Sequence, residues 1–288
     1  MSTFIDGLSL GSIYALIALG YTMVYGIAKL LNFAHGDIIM VGAYAIFSTL
    51  ALSGNLIVAI VVAIVICIVL GITVEKLAYK PLRGASPLAV LITAIGVSYL
   101  LQSVAQIVYG AKSRPVTIFS DNKTWNIGGV ILNSSTVITL VVAAIIMIVL
   151  TLFIKKTKTG RAMIAVSEDR GAAQLMGINV NFIITVTFAI GSALAAVASV
   201  FYLAQIPVTN PTLGAMPGIK AFTAAVIGGI GSIPGAMLGG ILLGIVEKVC
   251  LSIPAISSYT TAIEFSILIL ILLVKPTGLL GKKRREKV

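Results

Sequence analysis

Residues 136–154 read TVITLVVAAIIMIVLTLFI, and residues 155–182 read KKTKTGRAMIAVSEDRGAAQLMGINVNF. The first run is unbroken and apolar. At about 1.5 Å per residue, a helix of roughly 20 such residues crosses a bilayer core of about 30 Å. The second run is polar and charged, so between two spans it must lie in water. It carries a short helical pattern of its own: Met163, Ile164 and Val166, then Ala172, Ala173, Leu175 and Met176. A helix outside the membrane is well placed to receive a partner protein.

The pattern extends over the whole chain. Of its 288 residues 59% are hydrophobic and only 10% charged, and the mean hydropathy is +1.12. Soluble domains carry about 25% charge. The fold class expected is an all-α polytopic integral membrane protein. Apolar helices are expected at about 4–28, 36–53, 56–78, 87–109, 136–154, 182–205, 216–231, 233–251 and 260–275. That is eight or nine spans. The seventh is short, and Gly228, Gly229, Gly231 and Pro234 break the C-terminal third. Residues 216–251 therefore read either as two thin spans or as one broken, re-entrant element. A β-barrel would show short alternating segments instead.

The net charge of +11 does not point to nucleic acid, because the basic residues sit in short loops beside spans and form no single face. With the N-terminus outside, fifteen Lys and Arg fall on the inner side. Five fall on the outer side: Lys112, Arg114, Lys123, Lys220 and Lys248. Cytoplasmic retention of basic loops then favours N-out and C-in. Residues 1–28 have no basic leader and run on as a full span, so no cleavable signal is expected. No linker divides the chain, which reads as one transmembrane domain over 1–288. The outer loop 110–135 holds two β-prone runs, RPVTIF and WNIGGVIL, around a turn-like Ser120-Asp121-Asn122, which suggests a hairpin cap. Trp125 in that loop reads as an interfacial anchor.

Catalytic patterns are missing. The only histidine is His35, and neither GxxxxGK[ST] nor HExxH occurs, so no ATP site of P-loop type and no multi-histidine metal site is expected. No cofactor is implied, and an enzyme is not expected. Ionisable residues inside spans need a reason. Glu75 reads as a carboxylate snorkelling at a helix end, and Glu247 as paired or exposed beside Lys248. Glu264 lies deeper in the last span. Asn32, His35 and Asp37 cluster between two apolar helices, where Asp37 is placed to cap the second. These residues, with Tyr21, Thr22, Gln102 and Gln106, are the candidate pathway or gating groups. Gly7 and Gly11, then Gly231, Gly235 and Gly239, then Gly240 and Gly244 recur at helical spacing, which suits close helix packing. Cys67 and Cys250 read as buried free thiols.

The stretches GLSLGSIYALIALGYTMVYGIAKLLNFAHGDIIMVGAY (7–44), AFTAAVIGGIGSIPGAMLGGILLGIVE (221–247) and GRAMIAVSEDRGAAQLMGINV (160–180) together resemble the permease subunits of branched-chain amino acid ABC transporters. The resemblance covers nearly the whole chain. Its length, and a start directly in the first span, suit the shorter permease of the heterodimeric pair. It implies a coupling loop at about 155–181 that docks on an ATPase. ABC importers carry the pattern E-A-A-x-x-x-G there. Ala172, Ala173 and Gly177 keep its spacing, Gly171 replaces the glutamate, and Glu168 and Asp169 lie just upstream. Arg161 and Arg170 complete the set of candidate coupling residues. The resemblance further implies a second homologous permease subunit, two cytoplasmic ATPases, an extracytoplasmic substrate-binding protein and a prokaryotic plasma membrane. Relatives for urea, short amides or other amino acids, an ion-coupled secondary transporter and a passive channel are the alternatives.

Overall fold

The computed structural model describes residues 2–118, 124–127 and 130–281. Its centre is α1 (Ser2–Ala28). This helix is apolar on every side, and such a helix belongs inside a bundle. Ile13, Ala15, Leu16, Ile17, Ala18 and Leu19 have no exposed surface. Around it stand α2 (His35–Ser53), α3 (Leu56–Val74), α4 (Pro87–Tyr109), α5 (Ser134–Lys156) and α8 (Val180–Gln205). With them stand α9 (Ala215–Gly228), α10 (Ile233–Ser252) and α11 (Thr260–Val274). Two shorter helices, α6 (Lys158–Glu168) and α7 (Arg170–Leu175), lie between α5 and α8. Eight of the described helices are long and apolar enough to span a membrane, and α9, with 14 residues, is shorter.

Helix ends follow local chemistry. Asn55 caps α3 by accepting from the backbone N–H groups of Ile57 and Val58. Ser86 caps α4 just before Pro87, a proline position that forfeits no intrahelical bond. Past Val74 the α3 helix widens into a π-turn over Glu75–Tyr79 and tightens to a 3₁₀ turn over Lys80–Leu82, where Pro81 cannot donate.

Glycines set a close crossing between α1 and α10. A Cβ on Gly11 would lie 2.7 Å from the Cα of Ile241, and one on Gly7 would lie 2.9 Å from the Cα of Ile245. On α10 the spaced glycines serve two neighbours. Gly240 and Gly244 face α1, while Gly235 and Gly239 face Gly228 and Ala224 of α9. Gly231 belongs to neither helix and sits in the link before α10 at φ +91°.

The same contacts fix how the chain crosses. Gly7 meets Ile245 and Gly26 meets Gly231, so α10 runs antiparallel to α1. Gly20 meets Gly191, and Ser9 accepts a hydrogen bond from Gln205, so α8 does too. One face of the bundle carries the α1 C-terminus, α6 and α7, and is called the loop face. The other carries the ends of α4 and α8, and is called the hairpin face.

Two segments cross as broken elements. The His35 ring at the start of α2 fills the space beside Gly20, which lies eight residues, or about 12 Å, before the end of α1. Residues 29–34 therefore climb into the bundle before α2 begins. From the hairpin face, residues 206–214 descend without helix until Gly214 and Gly218 pack on Gly36. There α9 starts, and it ends at Gly228 beside Gly235 on the loop face. Residues 206–228 thus form a complete crossing. Leu279 and Leu280 close the far end by donating to the carbonyls of Ile227 and Gly228.

The expected hairpin differs in register. β2 (Thr124–Ile127) pairs with β3 (Val130–Asn133), with Ile127 opposite Val130, so both strands come from the second β-prone run. In the first run, β1 (Arg114–Pro115) pairs instead with β4 (Val208–Thr209). The Ser120–Asn122 turn and the Trp125 side chain lie outside the described residues.

Candidate functional site

The polar loop on the loop face folds into a platform. Thr157 caps α6, accepting from the Gly160 N–H at 3.0 Å. Gly160 itself lies against the backbone of Phe153 and Ile154, so α6 folds back directly under α5. Met163 and Val166 face the bundle, while Arg161, Ile164 and Glu168 face outward. The single helix expected here is two. Asp169 takes an extended backbone, ends α6 and caps α7 by accepting from the Ala172 N–H at 2.9 Å. Ala173 is buried, whereas Ala172 is exposed. Leu175 is 91% and Met176 83% exposed. Gly177, at φ +79°, ends the platform, its N–H donating to the Gln174 carbonyl, a left-handed turn that glycine adopts without strain.

Arg170 ties this platform to the central helix. Its guanidinium donates to the carbonyls of Ile27 and Ala28 in the last turn of α1, where free carbonyls and the helix dipole favour a cation. Partial burial and the neighbouring Arg83 lower its pKa from the usual arginine value. Arg83, Arg170, Gln174 and Asn181 line a cleft of about 460 Å³ between the platform and the bundle.

Two of the inner candidate residues come together. The Gln102 amide of α4 donates to Asp37 at 2.9 Å and to Ser98 at 3.2 Å. Asp37 therefore does not cap α2. Ala34 stands at the cap position without a side-chain bond, and Asp37 lies in the first turn. Asn32 accepts from the buried Tyr79 hydroxyl at 2.8 Å, which the π-turn carries to it. His35 packs edge-on to Tyr21, their ring centroids 4.7 Å apart. Thr22 is buried on α1. Gln106 is exposed on α4 and joins none of these groups.

Glu264 belongs to a separate cluster. Lys220 of α9 donates to Glu264 at 3.2 Å and pairs with Glu247 of α10 at 2.7 Å. Tyr14 of α1 donates to the other oxygen of Glu247 at 2.7 Å. The sequence put Lys220 on the outer side, at the start of the expected helix 216–231, and read Glu247 as paired or exposed beside Lys248. Instead Lys220 is buried inside α9, because residues 206–214 carry α9 down into the bundle. The reading of Glu75 as snorkelling is also corrected: Glu75 has no exposed surface and is held by Arg83 and, at 2.8 Å, by the Thr185 hydroxyl.

These features belong to a bundle of long apolar helices that carries a polar, capped platform on one face. The family described as "Branched-chain amino acid transport system / permease component" matches residues 3–273. The chain belongs to this permease family. It is similar to the high-affinity branched-chain amino acid transport system permease protein BraD of Pseudomonas aeruginosa, with 44% identity covering 100% of this chain and 98% of that protein. It is likewise similar to LivH of Escherichia coli, with 45% identity over 98% of this chain and 96% of that protein. A probable branched-chain amino acid transport permease, LivH of Methanocaldococcus jannaschii, is 30% identical over 94% of this chain and 89% of its own length.

The permease is a multi-pass membrane protein. In this permease the candidate residues other than Thr22 and Gln106 divide into three places: the platform, the α2 start with Gln102, and the Lys220 cluster. Sequence reasoning missed Tyr14, Lys220 and Arg83 as partners. The available signal was a basic residue for each acidic group or cluster: Lys220 for both Glu247 and Glu264, and Arg83 for Glu75.

Proposed function

We propose that this permease is one membrane-spanning subunit of an ATP-driven importer for leucine, isoleucine and valine, with the N-terminus outside and the platform in the cytoplasm of a prokaryotic cell. The observation that carries the reading is the α6–α7 platform. Leu175 and Met176 are large apolar side chains, almost fully exposed, on a capped helix beyond the spans. An apolar pair exposed to water at the end of a capped helix suits a cleft on another protein. The partner is a cytoplasmic ATPase, present twice, once under each of two related permease subunits. Arg170, bonded to the end of α1, carries ATPase movement to the centre of the bundle. Arg161, Glu168 and Asp169 surround the contact with charge, Ala172 faces it, and Gly177 lets the chain turn back. ATP hydrolysis then resides in the partners, which fits a chain without a P-loop. A binding protein outside delivers the solute to the hairpin face. The sparsely buried α4 and α11 face lipid or the second permease subunit.

Replacing Ala172 by Trp tests the platform, since Ala172 is exposed and the change leaves the bundle's own packing untouched. Co-purification of the ATPases should fall at least tenfold while membrane insertion is unchanged. Undiminished co-purification would contradict this docking surface. Ala173 is buried, so enlarging it would test packing instead.

A further inference from the structure

A cavity of about 210 Å³ lies between α1, α8, α9 and α10 towards the hairpin face. It is too small for a drug-sized ligand, whose pockets run to roughly 300–1,000 Å³. Its lining is of two kinds. Leu10, Ile206, Met216 and Leu251 give an apolar wall. Lys220, Glu247, Lys248, Tyr202 and Gln205 give a polar one that carries both signs of charge. The first turn of α9, with Met216 and Pro217, borders the same space. Its dipole favours an anion there.

The charges exceed what packing needs. Ionised groups inside a span are costly, and a hydrophobic replacement often packs at least as well. Lys220 also meets two carboxylates, and Glu264, which stands behind the cavity lining, has an Oε2 atom that accepts no hydrogen bond among the described residues. An ion pair of this kind can be opened by a ligand that brings its own pair of charges. Two contacts within the protein are then exchanged for two with the ligand.

We infer that this cavity is a transient subsite for a zwitterionic amino acid with an aliphatic side chain. Glu247 receives the ammonium group, Lys220 and Lys248 receive the carboxylate at the N-terminus of α9, and the apolar wall receives the side chain. The inference rests on the amino-acid reading above and adds the residues that meet the solute inside this chain.

The test uses the full complex in proteoliposomes, with Cys67 and Cys250 replaced by Ala and Leu251→Cys introduced on the cavity wall. The rate of modification by a charged thiol reagent is measured without ligand and with millimolar leucine. It is also measured with leucinol, which lacks the carboxylate, and with 4-methylpentanoate, which lacks the ammonium. Leucine should slow modification at least threefold, and neither analogue should do so. Glu247→Gln should abolish the protection. Lys248→Gln, which breaks no ion pair seen among the described residues, should raise the leucine concentration for half-protection at least threefold. Equal protection by all three compounds, no protection by leucine, or protection unchanged in both variants would overturn the subsite. ATP- and binding-protein-dependent leucine uptake is measured on the same preparation. Uptake without protection removes the subsite and leaves the importer standing. Uptake of a different solute in place of leucine removes the amino-acid reading and the subsite with it.

Discussion

At the scale of single residues, buried charges decide the most. Glu75 has no exposed surface, and its carboxylate is held by Arg83 from beyond the π-turn and by Thr185 from α8. Removing one member of a buried pair leaves an uncompensated charge and costs about 3–5 kcal/mol. Arg83→Ala should therefore lower the unfolding midpoint in detergent clearly, whereas the double variant Glu75→Gln with Arg83→Gln should recover much of the loss. Equal stability of Arg83→Ala and the parent would show that the pair carries little weight. Sequence reasoning singled out Asp37, Glu75, Glu247 and Glu264 as carboxylates within spans, but it read Glu75 as snorkelling and did not pair it with Arg83. Glu75 and Arg83 are eight residues apart, too far for ordinary helical neighbours, and they meet only because the helix widens and then turns at Pro81. Lys220 read as an outer-side residue at the start of helix 216–231, because the descent of residues 206–214 has no periodicity to read.

At the scale of elements, helices were legible almost throughout. The expected 87–109 is the observed Pro87–Tyr109, and 36–53 is His35–Ser53. Long apolar runs leave few alternatives in a bilayer, where helices satisfy their own backbone groups. The strands were harder to read: β1 finds its partner 95 positions away in β4, at the pairing of Arg114 with Thr209, and short β-prone runs carry no information about such a partner. The glycine spacing on α10 was legible as packing, though not as service to two different helices. At Gly240 an added Cβ would overlap the backbone of Ala15. Gly240→Val should destabilise by at least about 1–3 kcal/mol, the usual cost of overpacking, read as a lower melting temperature and poorer yield. A normal melting profile would contradict the close α1–α10 crossing. Gly177→Val strains a left-handed backbone at φ +79° where there is space for the side chain. It should leave insertion intact and at least halve the uptake obtained per ATP hydrolysed. An unchanged ratio would remove the platform's terminal turn from the coupling path.

At the scale of the whole molecule, two features bear on transport. The chain begins on the hairpin face and its last described residues lie on the loop face, which agrees with the basic-residue bias. The broken crossings at 29–53 and 206–228 bring two helix N-termini together inside the bundle, at Gly36 and Gly214. Irregular backbone at membrane depth is tolerated where protein covers it, and transporters use such breaks near their pathways. The question left open by sequence, whether 216–251 forms one element or two, is answered by that geometry: α9 crosses with the help of the extended residues before it. The account assigns the driving force to partner ATPases, so collapsing proton and sodium gradients should leave uptake unchanged. Loss of uptake on collapse would turn attention to Asp37 and Glu264 as ion-coupling groups. The most direct measurement is uptake of radiolabelled leucine into proteoliposomes that hold this permease with its partner subunit and ATPases, with and without ATP on the platform side and with and without binding protein on the other. Uptake should require both. Accumulation that proceeds without ATP and without the binding protein would contradict the account.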